Sequence, residues 1–368
     1  MAFYLIAGGA GFIGRHLCWE LLRHGHEVRV LDSLVEQVHP SGAVIDLGRD
    51  VEFIEGDLRD AAAVRRAIAG VDGVFNLAAE VGVGQSMYEI ERYVAANDLG
   101  TAILMQELME QPVRRVVVAS SMSIYGEGLY RTPQGRLVSS AVRRHEDLQA
   151  GRWEPRDAGE VLEPVPTDET KQPDLASVYA LSKYVQERLT LMLCAAYGME
   201  GVALRLFNVF GPGQQLSNPY TGVLAIFSGR LLNGQPPSIF EDGAQRRDFV
   251  HVSDVARAFR LAMEAPEAVG QAINIGSGRS HSVLEVAQLL GRAMGREELE
   301  PLILNRSRSG DIRHCFADIG KAKKLLDYDP RLRLEDGLEE LVQWVSTQQA
   351  RDRVREAQQE LEKRGLVV

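Results

Sequence analysis

The chain opens on Phe3-Tyr4-Leu5-Ile6-Ala7, apolar at successive rather than alternate positions, which is the pattern of a strand buried on both faces. A glycine-rich turn at residues 8–14 follows, and residues 15–24 then carry apolar side chains at helical spacing until Gly25 ends the segment. Strand-like runs recur at residues 27–31, 51–55, 73–77 and 115–120, separated by helical stretches. That alternation predicts an α/β protein built on a doubly wound parallel sheet. Residues 97–109 and 179–195 read as further apolar helices whose periodicity fits burial in the core. After Trp344 the chain turns to Gln, Glu, Arg and Lys, and this tail, residues 346–368, reads as a solvated helix or frayed end with no assigned function.

Composition narrows the class. The 368 residues are 45% hydrophobic and 25% charged, as in ordinary soluble proteins, and the formal net charge is -10 without any block of Lys and Arg. Nucleic acid and anionic membranes are therefore not expected partners, and an anionic substrate must be met by local arginines. No apolar run reaches the roughly 18 residues of a membrane span, and the first residues are too short and uncharged for a signal peptide. Cys18, Cys194 and Cys315 are scattered among apolar neighbours without metal-ligand spacing, which points to reduced core thiols, no bound metal and a cytoplasmic location.

Three features carry chemistry. In the turn Gly8-Gly9-Ala10-Gly11-Phe12-Ile13-Gly14, small residues let the backbone approach a pyrophosphate, whose charge the free N–H groups of the following helix would meet. Asp32 ends the second strand, where a carboxylate accepts from ribose hydroxyls and repels a ribose phosphate, favouring NAD over NADP; a turn or helix-cap aspartate is the alternative. Asp57 could reach the adenine or equally cap the next helix. Finally, Tyr179 and Lys183 lie four residues apart on one helix face, where the ammonium can favour the ionised phenol; taken alone, such a pair is common on helix surfaces.

Gly8 to Gly14, Asp57, Asn76-Leu77-Ala78-Ala79, Asn97, Ser121 and the Tyr179/Lys183 pair together resemble the extended short-chain dehydrogenase/reductase family over nearly the whole chain. The resemblance implies a Rossmann domain over residues 1–206 with an insertion at 131–163. It also implies a smaller α/β substrate domain, mainly 207–345, from which the segment 239–275 returns to the first domain. The cofactor is NAD, held by Gly8, Gly11, Phe12, Ile13, Gly14, Asp32, Asp57, Leu58, Leu77, Ala78, Ala79, Asn97, Tyr179 and Lys183. The catalytic set is Ser121, Tyr179 and Lys183, with Ser120 as the one-off alternative and simple turn chemistry as the plain reading of the serine pair. A nucleoside diphosphate sugar would be the substrate. Asn208, Arg247 and Arg308 match the diphosphate-binding positions, although Arg247 could instead pair with Asp248, and Glu80 lines the sugar pocket.

Residues after Ser121 separate the reaction types. Dehydratases of the family need an added acid and base there, whereas this chain has Met122 and Ser123, and the glutamate of the decarboxylases is also missing. The expectation is therefore an epimerase that oxidises and re-reduces the sugar at C4. Residues 81–90 and 216–223 are similar to those of bacterial dTDP-L-rhamnose 4-epimerases. A net-redox dehydrogenase and a non-catalytic nucleotide sensor are the rival readings. The family's dimer helices correspond to residues 97–109 and 179–195, so a homodimer is implied. The insertion is polar, contains Trp153, and has Arg156-Asp157-Ala158-Gly159 where some relatives carry Cys-x-x-Cys; it reads as either a lid over the sugar or a surface loop.

Overall fold

The computed structural model describes residues 1–39, 47–48, 50–220, 222–308 and 310–367. Thr221 and Ser309, within two of the motifs above, and Val368 of the tail lie outside the described residues. Seven strands make the central sheet: β1 (Phe3–Ala7), β2 (Glu27–Asp32), β3 (Val51–Glu55), β4 (Gly73–Asn76), β5 (Arg115–Ser121), β6 (Glu200–Leu206) and β7 (Ala272–Ile275). Every pairing is parallel and the spatial order is β7-β6-β5-β4-β1-β2-β3, the doubly wound Rossmann arrangement.

The unbroken apolar run of β1 has the expected cause. Tyr4 and Ile6 face one core, shared with Leu17, Cys18 and Leu21 of α1 (Phe12–Arg23). Leu5 and Ala7 face a second core, filled by Val64 and Ile68 of α2 (Ala61–Ile68) and Leu104 and Leu108 of α3 (Gly100–Glu110). Alternate residues thus enter opposite layers, so both sets must be apolar. The catalytic-helix candidate is α4 (Val178–Ala196), begun by Ser177, whose Oγ accepts from the Ala180 N–H at 3.1 Å. Helix α5 (Val252–Glu264) lies on the first core, where Val255, Phe259 and Met263 are buried.

The expected helix at 97–109 differs in detail. Helical structure begins at Ile90, and residues Val94–Leu99 wind as a π-helix before α3. Such widened turns commonly re-aim a side chain toward a site, and here the segment contains buried Asn97.

A separate apolar cluster, including Phe210, Phe227, Phe249, Leu290, Leu338 and Leu341, holds the C-terminal part. The insertion is a folded element and not a simple surface loop. Its strands Leu129–Arg131, Leu137–Val138 and Glu163–Val165 form a small antiparallel sheet over Tyr130, Ala141 and Leu162. Buried ion pairs then fasten it to the C-terminal part. Arg143 bonds Glu127 at 3.0 Å and also Glu241, while Arg313 meets Glu241 at 2.9 Å, Asp242 at 2.7 Å and Glu154 at 2.5 Å. The polar tail is also not frayed: α6 (Val354–Lys363) buries Ala357 and Leu361 against the body. Among the described residues, no helix is long and apolar enough to cross a membrane.

Candidate active site

At the carboxyl edge of the sheet, the glycine turn is closed too tightly for side chains. A Cβ on Gly14 would meet Gly8 O and Gly9 Cα at 2.5 Å, and Gly8, at φ +77°, would meet Ala78 N at 2.7 Å. The first turn of α1 has neither a side-chain cap at Gly11 nor an acidic residue, so its N–H groups around Phe12 and Ile13 face a polar partner from outside. These are the features a dinucleotide pyrophosphate requires, and the residues present fit NAD.

Asp32 accepts from the Ala10 N–H at 3.0 Å and the Leu34 N–H at 2.9 Å. It thus braces the glycine turn, while each carboxylate oxygen retains a lone pair for another donor. Asp57 does not cap α2. Arg59 binds it through Nε at 2.9 Å and a terminal nitrogen at 2.6 Å, which lowers its pKa, and Asp60 caps the helix by accepting from Ala62 N–H. Leu58 is buried beneath Gly100. Beyond β4, Leu77, Ala78 and Ala79 run past Gly8 toward α4, and Ala78 O accepts from Gln186 Nε2 at 3.2 Å. Asn97 staples the next residue: Oδ1 accepts from the Glu80 N–H at 2.7 Å, and Nδ2 donates to Glu80 O and to Ser182 Oγ at 2.8 Å. The Glu80 carboxylate is engaged by Arg92 at 2.8 Å rather than standing free.

The two serines separate clearly. Ser120 Oγ donates to Glu187 at 2.7 Å, and Glu187 is held in a bidentate pair with Arg205, so Ser120 belongs to the support beneath the site. Ser121 is the side chain that acts on the Tyr179 phenol, lowering its pKa, and its Oγ accepts from the N–H and O–H of Ser123. The expected lowering of the phenol pKa by Lys183 is not what the protein's own groups produce. Burial raises Tyr179 above its ordinary value, with the Ser121 hydrogen bond opposing, and burial pushes Lys183 down to about 7. The reason is that Lys183 is only 3% exposed and its Nζ donates to Gln186 Oε1 at 2.7 Å, one turn further along α4. Two of its N–H bonds remain for other acceptors.

On the other wall, Asn208 Oδ1 is buried without a hydrogen-bond partner among the described residues. Arg247 donates to the carbonyls of Arg246, Ile312 and Arg313, and no described carboxylate neutralises it. Its suggested pairing with Asp248 does not form, because Asp248 is turned inward onto Ser277 and the Gly278 N–H. Arg308 is paired with Asp311 at 2.8 and 3.1 Å and stacks 4.5 Å over Phe240, so an anion there would compete with Asp311.

Two participants escaped the sequence reading. Gln186 lies three residues after Lys183, a spacing from which it could have been read. Ser86, whose Oγ accepts from the Tyr179 N–H at 3.0 Å, is 93 residues away in the chain and carries no local signal.

The profile of the NAD dependent epimerase/dehydratase family matches residues 4–147 and 157–276. The dTDP-L-rhamnose 4-epimerase of Burkholderia thailandensis is 34% identical, over 93% of this chain and 94% of its own. UDP-glucose 4-epimerase of Bacillus subtilis is 30% identical over 93% and 96%. Among solved structures, UDP-glucose 4-epimerase of Thermotoga maritima superposes with a TM-score of 0.76 at 31% identity, covering 94% of this chain and 98% of that one. The UDP-glucuronic acid 4-epimerase of Bacillus cereus, in complex with NAD, gives 0.77 at 26% over 94% and 99%. With its parallel Rossmann sheet, glycine cradle and Ser–Tyr–Lys cluster, the chain belongs to the NAD-dependent epimerase/dehydratase family of extended short-chain dehydrogenase/reductases, as an NAD-dependent enzyme of the epimerase type.

Proposed function

We propose that this enzyme is a nucleotide-sugar 4-epimerase working through a transient 4-keto sugar, that its substrate is dTDP-L-rhamnose and its product dTDP-6-deoxy-L-talose, and that it acts as a cytoplasmic homodimer. The observation that carries the reaction type is Ser121 acting on the Tyr179 phenol in a segment with no further acid or base. Met122 is buried, and Ser123 is spent on Ser121. Such a set moves one proton at one oxygen, as reversible oxidation requires, and lacks the groups needed to expel water.

In this reading bound NAD would supply the reversible hydride acceptor for C4, and the sugar's inversion would follow from its presenting the other face before re-reduction. Tyr179 Oη takes the proton of the 4-hydroxyl, and Ser121 Oγ holds the reacting oxygen. Lys183 offers its remaining N–H bonds to the nicotinamide ribose. Gly8, Gly11 and Gly14, with Phe12 and Ile13, hold the pyrophosphate; Asp32 takes the adenosine ribose, while Asp57 and Leu58 flank the adenine. The Arg247 guanidinium, without a carboxylate partner among the described residues, and the Asn208 amide meet the substrate diphosphate, and an arginine without a carboxylate suits that anion. The dTDP-L-rhamnose assignment is supported by residues 81–90 and by similarity to the Burkholderia enzyme.

The test is NMR of the protein with dTDP-L-rhamnose, UDP-galactose and UDP-N-acetylglucosamine in separate samples, with catalytic NAD and no reductant. New anomeric signals of the 4-epimer from dTDP-L-rhamnose are expected. Epimerisation of only a UDP sugar overturns the substrate, and accumulation of reduced cofactor in step with product overturns the epimerase reading.

The dimer rests on α4 and on the helical segment that starts at Ile90 and runs into α3, which pack together and leave Ile90, Val94, Leu99, Leu181 and Met192 exposed. A second copy would cover them by the same helix packing. Placing glutamate at both Leu99 and Leu181 is expected to halve the mass measured by light scattering. An unchanged mass would exclude this face. The three buried, unpaired cysteines suit a reducing compartment.

A further inference from the structure

The C-terminal segment, residues 350–367, touches each of three loops that converge at the start of α4. The first loop, residues 82–88, is tied to the catalytic helix by Ser86. Leu361 lies over Gly84, where a Cβ would meet its Cδ2 at 3.4 Å, and the Arg364 guanidinium stacks 4.3 Å above the Tyr88 ring. The second loop, residues 216–220, meets the first where Tyr88 donates to Tyr220 at 3.0 Å; the Arg351 N–H binds its Ser217 Oγ, and Asp352 pairs with Arg230 behind it. The third, formed by Arg306, Ser307, Arg308, Gly310 and Asp311, is held by Glu362 on Arg306 at 2.6 Å and by a backbone bridge between Val367 and Arg308. A Cβ on its Gly310 would meet Ala176 O at 3.1 Å and Val83 at 4.0 Å, so this loop abuts both the first loop and the entry to α4.

We propose that the C-terminal segment is a clamp that sets the enzyme's affinity for its nucleotide sugar, with Leu361 and Arg364 as positioning residues acting through Gly84 and Tyr88, and the Val367 bridge holding Arg308. This rests on the reading of Arg308 and Tyr179 as one substrate site. Packed on all three loops at once, the segment orders the walls of that site before ligand arrives, so binding does not carry the ordering cost. Among the described residues, none of its contacts reaches the glycine turn, Asp32 or Asp57, so cofactor binding is expected to lie outside its influence.

The test compares the full chain with a version ending at Thr347 and with Leu361→Ala, Arg364→Ala and Arg364→Lys. Calorimetry measures the affinities for NAD, for dTDP and for UDP, and melting curves report folding. Loss of the tail or of either side chain is expected to weaken binding of the preferred nucleoside diphosphate roughly ten-fold, with NAD affinity unchanged. Lysine at 364, which keeps a cation over Tyr88, restores most of it. Where the sugar is turned over, KM rises and kcat stays within about two-fold, as expected for lost ground-state and transition-state binding alike. Unchanged diphosphate affinity in the folded truncation overturns the proposal. So does a loss of NAD affinity and melting temperature together with it, which marks a merely structural tail. Diphosphate binding without turnover of any sugar overturns the epimerase reading while leaving the clamp measurable; binding of neither diphosphate overturns both.

Discussion

Tyr179→Phe is expected to lower kcat by roughly two to four orders of magnitude, the usual worth of a positioned acid-base group, while the fold survives. The stability side follows from the partners. Deleting the hydroxyl removes at most one hydrogen bond, to Ser121, whose Oγ keeps the N–H and O–H of Ser123, so no buried acceptor is left bare. The cost is then about 1 kcal/mol, a single net hydrogen bond. Urea unfolding measures that change, calorimetry confirms that NAD still binds, and NMR turnover gives the rate. Activity within ten-fold of wild type would show that the proton leaves by another route. Ser121→Ala provides the companion result, a smaller loss, because the serine orients the oxygen and Tyr179 moves the proton.

The second large effect is one of stability. Arg313 is 1% exposed and lies between Glu241, also 1% exposed, Asp242 and Glu154. Replacing it with Met keeps much of the volume but leaves Glu241 with Arg143 alone. Removing one member of a buried ion network costs about 3–5 kcal/mol, and a loss of that size in urea unfolding is expected. Its functional echo runs through the backbone, since the carbonyls of Ile312 and Arg313 accept from Arg247. If the variant unfolds at wild-type denaturant concentration, the network does not fasten the insertion.

The same cluster sets an acid limit. His314 Nδ1 accepts from the Arg246 N–H, so the ring proton sits on Nε2 and is donated to Glu154 at 2.8 Å. Burial works against ionisation of Glu154, but the hydrogen bonds from His314 and Arg313 prevail and hold it at about 2, against an ordinary 4.5. A carboxyl depressed by folding stabilises the protein above its unfolded pKa, and that contribution disappears as pH falls from about 4.5 toward 2. Glu154→Gln should flatten this part of the stability profile.

What could be read from the chain was local. Apolar side chains at successive positions dictated buried parallel strands, because a strand covered on both faces must be apolar on both. Gly14 and Gly8 announced a turn too tight for a Cβ, and four-residue spacing placed Tyr179 and Lys183 on one face of one helix. The choice between Ser120 and Ser121 was beyond such rules. Both are turn-forming serines at a strand end, and only the packing of α4 brings Glu187 to one and Tyr179 to the other. The burial that raises the Tyr179 pKa in the protein alone was also out of reach, since spacing supplies the lysine charge but not the desolvation, nor the Gln186 that engages its ammonium. The polar 131–163 insertion and the tail looked separable because their charges suit water. Their partners, Arg313 for Glu154 and Tyr88 for Arg364, are 159 and 276 residues away, and only folding brings them within hydrogen-bonding or stacking distance. Periodicity and steric limits act over a few residues and so determine elements and the cofactor turn. Burial, charge pairing and the orphaned Asn208 depend on distant segments meeting, and these the tertiary structure alone decided.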